Sequence, residues 1–504
     1  MPTSGSNPPI QKSAIDAVLT NFYIPRMWEM IQVEAPGFRF FKNLDFVNWG
    51  EGYHGTFPIR TKAKRGMVGG ITGRLPKGGK PSYEMAKINY TLFRCLINFT
   101  WDSKLISSSE RYIKNLIDQA VTDCKNEYLR RFNTYLYAGI GPSTEAGGEP
   151  NVYSGFNCIG VGVSSTASAD DTQIRIGSPW TDGAGAHLGF GGLWIEEGDY
   201  LRCVNAPRSN SNGEFLKVTA VDRSYYPSYA LVTVEGGNTD GMIGTTNVTA
   251  GQASEFYLAS PAVEGGDGTS ESGSGFTGTS TTKGSVGELS DFASRFMGLK
   301  DVVDGVDPTN WAVGDSTTSN NCLKGQYLGV TNSDFVSLQK HNSGTSRPLS
   351  QELLDQLILE QNERSFVRPN LLVMNTGMWH EYVGMSGHAN EHFYTNRDSV
   401  PIGHAPSAQP QYFTVKATEA QGNLDILIDK YCPPKMLFAI DTQHVGYSTV
   451  HQMAEAQEDG SFLRMSSTDY DEWFGFMRWG GQFAATSPQS VAVLKDLDQD
   501  IIAL

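Results

Sequence analysis

The chain reads as an α+β protein carrying an inserted all-β domain, and three observations predict it. A basic, glycine-rich hairpin over 54–101, far longer than usual, runs straight into one long amphipathic helix. A block from 141 to 290 is poor in lysine and broken into short strand patterns. After 290, helical and apolar strand patterns alternate again.

The order of elements follows from local signals. Residues 1–50 look like an N-terminal arm, with Ala14, Ile15, Val18, Leu19 and Phe22 at helical spacing before Pro25 breaks the turn. The hairpin occupies 51–101. Its first arm is His54 to Arg60, and its returning arm is expected as one strand from Tyr83 to Trp101. Between them, Thr61 to Pro81 carry Lys62, Lys64, Arg65, Arg74, Lys77 and Lys80, six glycines and no acid. Common hairpin loops have about two to five residues. A segment this long and this poor in apolar groups does not offset its own ordering entropy, so it is expected to lie on something else.

The long helix, within 102–140, opens on Ser107 and Glu110 as a capping box. Ile113, Leu116, Ile117, Ala120, Val121, Cys124, Tyr128, Leu129, Phe132 and Leu136 make one apolar stripe, which Gly139 and Pro142 end. In 141–290 the strands expected are Gly192–Glu196, Tyr200–Asn205, Phe215–Val221, Ala230–Glu235 and Glu255–Ala259, spaced as in a small barrel or sandwich. Leu289–Met297 is expected to be helical, and Leu349–Asn362 is a clear helix. Strands follow at Leu371–Met374, Leu424–Ile428 and Met436–Ile440. The tail from Trp473 to Leu497 reads as two strands about the turn at Ser487-Pro488. No internal repeat of fixed period is present.

Composition narrows the function. The chain has 504 residues, a net charge of −15 and a pI near 5.1. Nucleic-acid binding by counterion release needs clustered cations, and the hairpin tip is the only basic run. The whole suits a container wall that does not stick to a polyanion. The six cysteines form no CxxC pair, so no zinc pattern arises. Cys95 and Cys124 fall on apolar-periodic positions and are expected as buried thiols in a reducing compartment. The N-terminal residues lack the basic and apolar regions of a secretory leader, and no apolar run reaches membrane-spanning length. Synthesis is therefore expected in the cytoplasm.

Catalytic patterns are thin. His388, Glu391 and His392 match the H-x-x-E-H zinc spacing. That pattern works on a helix, whereas Gly384, Gly387 and Pro401 surround this one, so a solvated loop is the preferred reading. Gly78-Gly79-Lys80-Pro81 is not a phosphate loop, because Pro81 stands where the magnesium-binding hydroxyl belongs. No catalytic residue, metal ligand or cofactor site is expected.

The arrangement resembles the major capsid proteins of tailed bacteriophages, the Hong Kong 97-type fold. The residues that carry the likeness are the hairpin 54–101, the capped helix Ser107–Ala138, the helix 349–362 with Leu371–Met374 and the turn Asn375-Thr-Gly-Met-Trp379, and the closing segment Phe474–Lys495. Thr376 stands where that family often has proline, and 141–290 matches no defined insertion. The resemblance implies an extended loop, a spine helix in a peripheral domain, an axial domain within 291–445, and a return to the peripheral domain over 446–504. It also implies a structural subunit, not an enzyme, that forms hexamers and pentamers of an icosahedral shell. The shell would enclose double-stranded DNA without reading its sequence, touch no membrane, and be built in the host bacterial cytoplasm. Separate scaffolding, portal and decoration or auxiliary proteins are the implied partners. Arg60, Lys62, Lys64, Arg65, Arg74, Lys77 and Lys80 would grip a neighbouring copy. The alternatives are another β-rich virion component of tail or fibre type, and a metal-dependent hydrolase at His388, Glu391 and His392.

Overall fold

A computed structural model describes residues 40–41, 47–49, 54–62, 82–89, 91–100, 110–139, 158–162, 173–183, 188, 190–204, 215–225, 229–235, 255–259, 296–304, 326–327, 330–331, 337–365, 368–385, 412–416, 423–455, 464–465 and 472–499. The elements in chain order begin with β1 (Asn48–Trp49), β2 (His54–Lys62), β3 (Ser82–Asn89), β4 (Thr91–Thr100) and helix α1 (Glu110–Ala138). Six strands follow: β5 (Cys158–Gly162), β6 (Gln173–Gly177), β7 (Tyr200–Val204), β8 (Phe215–Asp222), β9 (Ala230–Glu235) and β10 (Glu255–Ala259). Next come α2 (Leu299–Asp304), β11 (Gln326–Tyr327), β12 (Val330–Thr331), β13 (Leu338–Lys340), α3 (Gln351–Ser365), β14 (Leu371–Met374) and α4 (Thr376–Met385). The chain closes with β15 (Tyr412–Lys416), β16 (Asn423–Ile428), β17 (Leu437–Ile440), β18 (Val445–Glu455), β19 (Arg464–Met465), β20 (Glu472–Ala485) and β21 (Val491–Leu494). None of the described helices is long and apolar enough to cross a membrane.

The chain divides into two compact units. The first comprises Met1–Phe40, Tyr90–Asn133 and Thr449–Gly481, and the second comprises the rest. In the first, β4 lies antiparallel to β20, from Thr100 opposite Glu472 to Thr91 opposite Gly481. The apolar stripe of α1 covers one face of this pair. Val121, Cys124, Tyr128 and Phe132 are buried there. Phe132 sits 4.9 Å from the rings of both Phe93 and Trp479. The Tyr128 hydroxyl donates to the Met477 carbonyl at 2.7 Å, so a helix residue satisfies a strand acceptor inside the core. On the outer side of α1, Glu127 pairs with Arg130 at 3.2 Å and with Arg131. Burial alone would raise the Glu127 carboxyl, but the two guanidiniums hold it below its ordinary value.

The second unit holds a six-stranded mixed sheet ordered β13-β21-β17-β14-β16-β15. The β13–β21 and β14–β16 pairs are parallel. Strands β14, β17 and β21 are buried at every position, which is why they read as continuous apolar runs and not as alternating ones. Helix α3 places Leu354, Leu357 and Ile358 into one core with Leu372, Met374, Leu437 and Leu494. Strands β5 to β10 close into an antiparallel barrel, filled by Ile174, Ile176, Leu201, Val232 and Phe256, each fully buried. Gly160 in β5 lies so close to Ile176 that any Cβ would collide with its side chain. A small antiparallel sheet, β1-β2-β3, completes the unit's described sheets together with the β11–β12 pair.

Most of the expected elements are present, and the differences have physical causes. The returning arm of the hairpin is not one strand: β3 pairs with β2, while β4 leaves for β20. Gly192–Glu196 is not a strand. A 3-10 turn over Gly191–Leu193 takes its place, and the Asp199 carboxylate then holds a turn by accepting from the Glu196 N–H at 2.8 Å. Of the helix expected over Leu289–Met297, only Phe296 and Met297 are described and they are not helical; α2 begins at Leu299, where Asp301 reaches back to accept from the Gly298 N–H at 2.8 Å. Asn375-Thr-Gly-Met-Trp379 is the start of α4, with the Asn375 side chain accepting from the Met378 N–H at 2.8 Å as an N-cap. Cys95 and Cys124 face one another, with Cα atoms 6.2 Å apart. Strand alternation turns Cys95 towards the helix stripe that carries Cys124. Gly139 ends α1 in the left-handed region, with φ 65°. The N-terminal arm before residue 40, the capping residue Ser107 and residues 289–295 lie outside the described residues.

Candidate subunit interface

The hairpin is two-faced. In register, Phe57 opposes Ala86, Pro58 opposes Met85, Ile59 opposes Glu84 and Arg60 opposes Tyr83. Gly55, Phe57 and Ile59 of β2 and Ala86 and Ile88 of β3 are buried. The opposite face carries Pro58, exposed, with Tyr83 58% and Met85 57% exposed. These are among the most exposed large apolar side chains of the described residues. Arg60 stands at a register position of this second face, by the alternation of strands. A register shift between Arg60 and Lys62 sets Lys62 opposite Ser82. Of the seven expected cations, Lys64, Arg65, Arg74, Lys77 and Lys80 lie outside the described residues.

Sequence reasoning pointed to the cations and passed over Tyr83 and Met85. The signal was there: Tyr83, Met85 and Lys87 alternate with Glu84, Ala86 and Ile88. Alternation alone does not say which set is buried when both contain apolar residues.

The buried titratable groups serve as anchors. Asp429, at the end of β16, accepts from the Tyr137 hydroxyl at 2.8 Å and from the Tyr431 N–H at 2.9 Å. Burial pushes its carboxyl above the usual range, against those hydrogen bonds and the nearby charge of Lys430. The adjacent Cys432 thiol is fully buried and is pushed up by burial and by Asp429. It is therefore a protonated thiol shut away from solvent, not an activated nucleophile. His444 Nδ1 lies 2.7 Å from Asp441 Oδ2. That bond is the first cause of the raised imidazole pKa, while the other Asp441 oxygen accepts from the Gln443 N–H at 3.0 Å, so the pair braces a turn. Asp496 takes three backbone N–H groups, from Gly183 at 2.9 Å, Asn342 at 2.7 Å and Gly344 at 3.0 Å.

Among the described residues no group of three or more His, Cys, Asp or Glu is arranged to hold a metal ion. His388, Glu391 and His392 lie outside the described residues.

No family model matches the chain, and no curated protein matches it. Several solved assemblies are similar to it over most of their length. The capsid asymmetric unit of cyanophage A-1(L) aligns over 96% of this chain and 96% of its own, with 11% identity and a TM-score of 0.41. Mycobacterium phage Patience aligns over 97% and 88%, with 10% identity and a TM-score of 0.31. The satellite phage P4 procapsid, including its size determination (Sid) protein, aligns over 94% and 99%, with 6% identity and a TM-score of 0.31. Likenesses at this level leave the function to be read from the chain's own elements.

Proposed function

We propose that the chain is the major subunit of a virus-like shell, assembling through copies of itself into hexamers and pentamers around packaged double-stranded DNA, with no catalytic activity. The observation that carries this reading is the hairpin. Strands β2 and β3 pair through eight residues of β3 and then hand the chain straight to β4 and α1. The hairpin's outer face offers Pro58, Tyr83 and Met85 beside the register position of Arg60. An exposed apolar strip, next in sequence to a run of cations, is what a contact with an acidic neighbour needs. The neighbour is another copy carrying −15. Each exposed ion pair is worth only about 0–1 kcal/mol. Contacts of that size, repeated at every subunit, permit correction of errors during growth of a closed lattice. The barrel β5–β10, with its polar surroundings in the sequence, is read as a module that projects outward or bridges neighbours. Scaffolding, portal and decoration proteins are the further partners this role calls for.

Electron microscopy of the purified full chain tests the reading, with closed shells or capsomer rings as the expected result. Deletion of Lys62 to Lys80 should leave a folded chain, judged by its circular dichroism, that forms no closed shell. Shells forming normally from that deletion would overturn the role assigned to the hairpin.

A further inference from the structure

The first unit's sheet contains a charge anomaly. Arg478 on β20 stands directly opposite Arg94 on β4. The face that turns Cys95 and Trp479 inward is covered by α1, and the two arginines occupy the other face. Arg94 is exposed. The Nε of Arg478 is buried and has no hydrogen-bond partner among the described residues. Like charges on directly opposed strand residues repel, and a buried guanidinium N–H without an acceptor carries a desolvation penalty. A carboxylate set between the two guanidinium groups from outside would relieve the repulsion.

We propose that this sheet face docks on helix α3 of a second copy of the chain. Helix α3 exposes Glu352, Gln356, Leu359 and Glu363, which recur at i, i+4, i+7 and i+11 and so form one stripe. An acid stands near each end, no cation interrupts the stripe, and Leu359 between them is 56% exposed. Leu92, half-buried, lies two residues before Arg94 and therefore on the same sheet face. Leu359 seats against Leu92 while a glutamate of the stripe forks between the arginines. Charge complementarity favours a copy of this chain as the occupant, because 54 acids against 39 cations leave every copy with carboxylates to offer. Nucleic acid is the weaker fit. With Arg464 of β19, which opposes Phe474, the strands β4, β19 and β20 bring three arginines to register positions of this face, still short of the longer cationic run that phosphate binding needs. The proposal rests on the shell-subunit reading only in taking the partner to be another copy.

The experiment is sedimentation velocity of the full chain across a concentration series, for wild type, Arg94→Glu/Arg478→Glu, Glu352→Arg/Glu363→Arg, and all four changes together. Each double reversal should raise the concentration at half-assembly roughly tenfold. The fourfold reversal should return it towards wild type, with melting temperatures unchanged throughout. Should the arginine reversal lower the melting temperature, Arg94→Gln/Arg478→Gln must show the same weakened association. Double variants that assemble at the wild-type concentration, or a fourfold variant with no recovery, would overturn the proposal. So would a pair of arginine variants that assemble normally but release a short DNA duplex, which would assign the site to phosphate. A wild type that stays monomeric sinks the shell reading and this contact together. A wild type that assembles beside unaffected doubles sinks the contact alone.

Discussion

Substitution of Asp496 by asparagine gives a sharp test of how the second unit is held. The Asp496 carboxylate is buried and accepts the Gly183 N–H on one oxygen and the Asn342 and Gly344 N–H groups on the other. It also sits at φ 60°, a conformation that asparagine tolerates nearly as well as aspartate. The substituted side chain would therefore keep the backbone and the volume but could direct only one oxygen into the site. If that oxygen faces Asn342 and Gly344, the new amide points its hydrogens at the Gly183 N–H. Hydrogen bonds to a charged acceptor contribute about 1.5–3 kcal/mol each, and an orphaned buried donor costs about 1–3 kcal/mol. Part of this is returned by water, because Asn342, Ser343 and Gly344 are exposed. The expected loss at pH 7 is about 2–4 kcal/mol.

The pH dependence adds a second constraint. Burial works to raise the Asp496 carboxyl, but the three N–H groups and His341 hold it below its ordinary value. Its contribution is thus complete above the unfolded carboxylate range, near pH 4, and fades as the pH falls through the lower folded value. Urea unfolding followed by tryptophan fluorescence is the assay, since Trp180 is fully buried in the same unit. The gap between wild type and Asp496→Asn should be wide at pH 7 and shrink below about pH 3.5. A variant as stable as wild type at pH 7, or a gap that does not change with acidification, would refute the reasoning.

Two further outcomes follow from the cores. Phe132→Ala removes a fully buried ring between Phe93 and Trp479 and should cost about 3–5 kcal/mol in the first unit, read by denaturant unfolding. A loss under about 1 kcal/mol would mean the site collapses without penalty. Asp429→Asn tests the opposite sign of linkage. Its folded pKa is raised, so wild type is favoured in acid and loses that advantage as the pH climbs through the folded value. The variant should gain on wild type as the pH rises from about 4 in the same unfolding assay, and a constant difference would count against the buried carboxyl.

Much of the fold was legible because its signals are local. The stripe from Val121 to Leu136 gave α1, Gly139 gave its end, and the unbroken apolar runs 371–374 and 437–440 gave the central strands of the mixed sheet. Strands β5 and β6 were missed, since Cys158–Gly162 holds two glycines and Gln173–Gly177 follows a polar stretch. Their burial comes from closure of the barrel, which no local window contains. The break at Tyr90 was equally invisible: β3 and β4 have similar composition, and only the distant β20 decides that the second leaves the hairpin. At the candidate interface the cations could be read from composition, but the exposure of Tyr83 and Met85 depends on which hairpin face the rest of the unit covers. The Arg94–Arg478 opposition joins residues nearly four hundred positions apart, so register alone reveals it.

That same β4–β20 pairing sets the timing of maturation on the ribosome. Strand β4 emerges early, yet its partner begins at Glu472, so for most of translation the strand presents an unsatisfied backbone edge and α1 lacks half of its packing surface. Closure of long-range pairs is slow relative to local helix formation, and open strand edges invite association with the wrong partner. The first unit therefore cannot complete before Glu472–Ala485 has been made. A product truncated before Glu472 would lack the strand on which β4, β18 and β19 all converge.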